Sequence, residues 1–72
     1  MTQRQALCIA LDAEKRARAF FEHACRTATD PAARALAKEM AMEEAEHVAL
    51  IGRMLQRTPE PDVDWASAFG SP

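Results

Sequence analysis

Between Gln3 and Ala28 the chain contains neither glycine nor proline, and Leu7, Ala10, Leu11, Ala17, Phe21, Cys25 and Ala28 recur there with a helical period. A strand would alternate every second residue, so this stretch can only be read as one long helix, about 3–28. Thr2 is placed to cap its start, with Gln5 three residues on completing a capping box. The break comes at Thr29-Asp30-Pro31, where Asp30 suits an N-cap and Pro31 the first helical position. A second helix, about 31–57, carries the stripe Ala33, Leu36, Ala37, Met40, Val48, Ile51, Met54 and Leu55. Gly52 falls off that stripe and costs about 1 kcal/mol relative to Ala. Arg53 and Arg57 suit the negative end of the helix dipole, and Thr58-Pro59-Glu60-Pro61 stops the helix. So short a connection between helices of similar length makes an antiparallel hairpin. The expected organisation is a helical hairpin over 1–57 and an extended arm over 58–72. The arm's Trp65 and Phe69 are expected to pack over a hairpin, with docking to a partner as the alternative.

Size decides what such a hairpin needs. The chain has 72 residues and is 49% apolar, but 16 of the apolar residues are alanine and only 13 are Leu, Ile, Val, Phe or Trp. Chains this small rarely bury enough surface alone and rely on disulfides, a metal or a partner subunit. A self-contained enzyme with a deep pocket is excluded. The net charge of −2 is interspersed without a basic patch, which argues against nucleic acid as a partner. No apolar run approaches the ~18 residues of a membrane span. Met1-Thr2-Gln3-Arg4-Gln5 lacks a signal-peptide pattern, so the expected compartment is the cytoplasm, with reduced thiols. Cys8 and Cys25 on one helix would lie roughly 25 Å apart, too far to bridge, and read as small core or boundary hydrophobes.

Polar residues interrupt both stripes. With Glu14 as the origin and about 100° per residue, Leu7, Phe21 and Cys25 all fall within roughly 20° of it. With Glu44 as the origin, Ala33 and Ile51 lie within roughly 20°, Val48 within roughly 40° and His47 within roughly 60°. Both carboxylates and the imidazole therefore belong to apolar faces, where a carboxylate needs a partner, a proton or a metal. Their levels agree too. Glu14 lies 15 residues before Thr29 and Glu44 lies 15 after it, so each is roughly 22 Å from the turn. An antiparallel hairpin sets them side by side, with His47 one turn further on. Carboxylate oxygens with imidazole suit iron or manganese. In di-iron carboxylate bundles two helices each give one Glu and the other two each give Glu-x-x-His. One hairpin carries half of that set. Two copies would complete both the ligand set and the core, as an all-α four-helix bundle.

The segment Ala10-Leu11-Asp12-Ala13-Glu14-Lys15-Arg16-Ala17-Arg18-Ala19-Phe20-Phe21 resembles the first metal helix of rubrerythrin-type ferritin-like proteins, and Met42-Glu43-Glu44-Ala45-Glu46-His47-Val48 resembles their Glu-Glu-x-Glu-His motif. In length the chain is similar to the encapsulated ferritins, two-helix half-ferritins that assemble a di-iron site across a dimer. The resemblance covers about residues 7–57. It implies Glu14 and Glu44 as metal ligands, one of them bridging, and His47 as a terminal ligand. It also implies two irons per dimer, with manganese as the alternative metal, and a ferroxidase or peroxide-reducing activity with O2 or H2O2 as oxidant. The implied partners are further copies of the chain in even number, with an encapsulating protein shell as another candidate. The pattern departs at Ala13 and Arg16, where that group carries acidic residues, and at Phe20-Phe21, where Trp-Tyr or a similar pair is common.

A competing reading is a non-catalytic helical dimer, an interaction module in which Glu14, Glu44 and His47 form a structural polar network. Singly, Glu14 could be capped by Arg18, and Glu44 and His47 could form a surface pair. A further reading is a fragment of a longer rubrerythrin-like chain. Glu43 lies at the stripe's edge and reads as a solvated charge, with an outer-shell role as the alternative. Glu39, Glu46 and His23 face solvent by angle. Met42 and Leu50 are apolar on the outer side and suggest further subunit contacts.

Overall fold

The structure, a computed structural model, describes residues 1–59. Those residues form two helices, α1 (Gln3–Thr27) and α2 (Pro31–Arg57), and no strand. They pair along their lengths as an antiparallel hairpin. At the start of α1 the Thr2 hydroxyl accepts from the Gln5 backbone N–H at 3.0 Å, and the Gln5 side chain accepts from the Thr2 N–H at 2.8 Å, a complete capping box. Ala28 leaves the helix in extended conformation, one residue earlier than the periodicity suggests. The Asp30 carboxylate then accepts from Ala33 N–H at 3.0 Å, with Pro31 in the first turn of α2.

Two arginines clamp the ends. The Arg34 guanidinium donates twice to the Ala28 carbonyl, at 3.2 and 2.8 Å, and so satisfies the C-terminus of α1 from the start of α2. At the other end Arg4 of α1 donates to the carbonyls of Leu55 and Thr58, at 3.3 and 3.0 Å, where α2 finishes. Each cation sits where the helix dipole is negative. Sequence periodicity does not reveal these contacts, because each joins residues that meet only when the hairpin closes.

The hairpin hardly has a core. Among the described residues Ala37 alone is buried, at 7% exposure. On α1 the half-buried face follows the stripe, with Leu7, Ala10, Leu11, Ala17, Phe21, Cys25 and Ala28 all partly covered. On α2 the contact face is rotated from the expected stripe. Ala37, Ala41, Val48, Gly52 and Leu55 turn toward α1, whereas Ala33, Leu36 and Met54 are exposed, Leu36 at 59%. The apolar arc of α2 is wider than one helix can cover, and α1 takes one edge of it. Cys8 also departs from expectation, being exposed, while Cys25 is half-buried and both are free thiols.

Gly52 lies inside α2 and half-buried rather than off the packed face. A Cβ added there meets nothing within 4 Å. Gly52→Ala is therefore expected to stabilise the protein by about 0.5–1 kcal/mol through backbone entropy, seen as a raised urea midpoint at unchanged slope. No helix among the described residues is long and apolar enough to cross a membrane. The expected arm, with Trp65 and Phe69, lies outside the described residues from position 60 onward.

Candidate metal centre

Hairpin closure brings Glu14, Glu44 and His47 together. Each offers one ligand atom, and the three atoms lie within 4.8 Å of one another. Equal distance from the turn places the two glutamates at one level, and the Glu-x-x-His spacing brings His47 onto the same flank of α2. His47 Nδ1 approaches Glu14 Oε2 at 3.3 Å, a long hydrogen bond, and Glu44 Oε2 at 3.6 Å, beyond hydrogen-bond reach. Burial is graded. The side chains of Glu44, Glu14 and His47 are 15%, 30% and 53% exposed. The angular reading placed His47 in the buried stripe, but it lies open because the contact face of α2 is turned away from it.

The Glu44 oxygen carries the most weight. Oε2 is buried and has no hydrogen-bond partner. A buried acceptor left unmade costs about 1–3 kcal/mol, and more if charged. The donor set fits a hard or borderline cation, which carboxylate oxygens and one imidazole bind well and which would supply the missing partner. Arg18 does not cap Glu14. It pairs instead with Glu22 at 2.7 Å, so this simpler account of Glu14 is overturned. Asp12 pairs with Arg16 at 2.8 Å, so the Arg16 charge is held on its own helix. Glu39, Glu43, Glu46 and His23 are exposed and belong to no candidate metal cluster among the described residues.

The flank that carries His47 also carries exposed apolar side chains. Leu36, Met54 and Leu50 of α2 and Phe20 and Ile9 of α1 are exposed. By helical angle all lie on the side of the hairpin to which His47 turns, because antiparallel helices read in opposite senses from one viewpoint. At 1.5 Å per residue, Phe20 and Leu36 fall roughly 9–12 Å from the glutamates toward the turn, and Ile9 and Leu50 roughly 7–9 Å away from it. The ligand atoms thus sit between two apolar pairs on an uncovered face. Phe20 stacks edge-on against Phe21, with ring centroids 5.4 Å apart, and Phe21 carries that contact down to the helix interface.

A family model for the ferritin-like domain matches residues 2–72. The chain belongs to the ferritin-like domain family. Neither the curated proteins nor the solved structures contain a match. For a ferritin-like chain, two helices and a Glu/Glu/His group agree with a metal-handling role. The helices and the residues drawn together were legible beforehand. The open position of His47 was not, because apolar spacing alone does not tell which edge of a broad stripe meets the neighbouring helix.

Proposed function

We propose that this chain is a di-iron carboxylate protein of the rubrerythrin type, similar in plan to the two-helix encapsulated ferritins. Two hairpins join through the exposed flank of Leu36, Met54 and Phe20 and complete a di-metal centre between them, with ferroxidase or iron-handling activity. The observation that supports this most is the half-set of ligands in one chain: Glu14, Glu44 and His47 converge within 4.8 Å, and Glu44 Oε2 is buried with no hydrogen-bond partner. A two-fold axis beside them would bring four glutamates and two histidines together, the ligand count of a di-iron carboxylate bundle.

In this reading Glu14 and Glu44 would hold the metal and neutralise its charge. His47 would add the imidazole ligand, held by its approach to Glu14. Iron bound there would supply the redox step toward O2 or H2O2, and manganese is the alternative metal. Leu36, Met54 and the phenylalanine pair would exclude bulk water once two flanks meet. The alanines Ala6, Ala10, Ala13, Ala17 and Ala24 lie along the same flank of α1, and their small side chains would let the helices approach closely.

The alternative of a structural polar network draws on the His47–Glu14 contact. It leaves Glu44 Oε2 with no hydrogen bond and only His47 Nδ1 at 3.6 Å, which is why the metal reading is preferred. The experiment is metal analysis with sedimentation on protein prepared in anaerobic iron(II). The expected result is a dimer or larger even assembly holding about two irons per two chains, with ferric absorbance growing on exposure to air. Metal-free protein whose thermal midpoint ignores iron(II) overturns the proposal.

A further inference from the structure

On the side of α2 that faces away from α1, six residues recur at alternating steps of four and three: Glu39, Glu43, Glu46, Leu50, Arg53 and Arg57. At about 100° per residue they fall within roughly 40° of one line, nearly opposite the Ala37, Ala41, Val48 and Leu55 face that packs on α1. All six are exposed, Leu50 at 48%. Their order is segregated: three carboxylates, a leucine, then two guanidiniums. None of the five charged side chains forms an ion pair among the described residues. Their own helix gives them like neighbours. Glu39 and Glu43, and Arg53 and Arg57, stand four positions apart, where opposite charges would support a helix and like charges weaken it.

The pattern is complementary to itself when reversed. Glu43 and Arg57 lie seven residues either side of Leu50, and Glu46 and Arg53 lie four and three. A second α2 laid antiparallel on the first therefore sets Glu43 beside Arg57 and Glu46 beside Arg53. A two-fold axis makes each pairing twice and brings the two Leu50 side chains together at its centre. A parallel copy would set carboxylate against carboxylate and guanidinium against guanidinium, which disfavours it. The alternating spacing averages roughly 3.5 residues, the repeat that keeps a seam facing a partner helix.

We propose that this outer face of α2 docks on the same face of a second copy of the chain, antiparallel, with Leu50 at the two-fold axis. Leu50 supplies the apolar contact, and the charges set direction and register. Exposed ion pairs add little, so hairpins joined only here separate on dilution. The contact gains strength once hairpins are already paired, because a second link is then intramolecular. It differs from the pairing proposed at the ligand flank, since it lies across α2 from α1. Together the two contacts would join pairs of hairpins into larger even assemblies. The inference does not rest on the metal reading.

Disulfide trapping in concentrated full-length protein, without added metal, tests the register. In a Cys8→Ala, Cys25→Ala background, Leu50→Cys should form a linked dimer several-fold faster than Ala35→Cys. Ala35 is also exposed on the outer side of α2, but the two-fold axis carries it far from its copy. The rate should fall as salt rises. Arg53→Glu with Arg57→Glu should slow Leu50→Cys several-fold, and so should Glu43→Arg with Glu46→Arg. Helicity by circular dichroism should hold in both, because all four side chains are exposed. Mixed together, the two reversed proteins are complementary again and should link to each other at the original rate or faster. Glu44→Leu and Leu36→Lys should leave the rate unchanged. A Leu50→Cys rate no higher than that of Ala35→Cys overturns the proposal. So does a rate indifferent to charge reversal, and so do reversed proteins that fail to link to each other. Loss of linking with Glu44→Leu or Leu36→Lys also overturns it, by placing Leu50 in the ligand-flank pairing.

Discussion

Glu44→Leu is expected to yield protein that binds no iron and whose thermal midpoint does not move when iron(II) is added. In the wild type, a metal present at a hundred times its dissociation constant stabilises the folded state by about 2.7 kcal/mol. For a chain of this size each kcal/mol is worth about 4–8 °C, so the shift should reach roughly 10–20 °C. The variant removes the least exposed of the three proposed ligands and should lose all of it. Without metal the order should reverse. Glu44 Oε2 is buried and makes no hydrogen bond, so the wild-type hairpin carries that penalty and leucine does not. Metal-free Glu44→Leu should therefore be at least as stable as metal-free wild type. If Glu44 instead belonged to a structural network, the variant would lose stability and the wild type would ignore iron. Paired melting curves with and without iron(II) separate the two cases.

Leu36→Lys with Met54→Lys is expected to keep the helices and to abolish the proposed pairing of hairpins. Both side chains are exposed in the single hairpin, Leu36 at 59% and Met54 at 39%, so charging them removes little that holds α1 to α2. Across a two-fold interface each substitution counts twice. Each large apolar side chain is worth up to about 1.5–3 kcal/mol when fully buried, and a lysine in its place adds a desolvation cost. Sedimentation should show a single chain, circular dichroism should show unchanged helix content, and iron content should fall well below two per two chains. A double variant that still forms dimers would place the interface elsewhere.

Several elements were legible from residue order alone. The capping box of Thr2 and Gln5, the Asp30 cap and Pro31 act through bonds only a few residues long, so their spacing states them directly. The convergence of Glu14, Glu44 and His47 follows from counting rise per residue on either side of the turn. The cross-helix arginines were not legible, because Arg4 meets Leu55 and Thr58 across more than fifty positions. Nor was the exposure of Leu36, Met54 and His47. All three belong to the apolar face of α2 by periodicity, yet α1 packs against the edge marked by Ala37, Ala41 and Val48.

The sequence by itself therefore determined two helices, their ends, their antiparallel pairing and the level at which the acidic and imidazole groups meet. Spacing along a helix is a local property and survives any packing arrangement. The tertiary structure alone decided how α2 is rotated about its axis. That rotation leaves Glu44 covered with an oxygen unsatisfied, His47 open, and the leucine and methionine of its flank bare beside them. Rotation is set by which side chains bury best against the neighbouring helix, a choice that exists only once both helices are in contact.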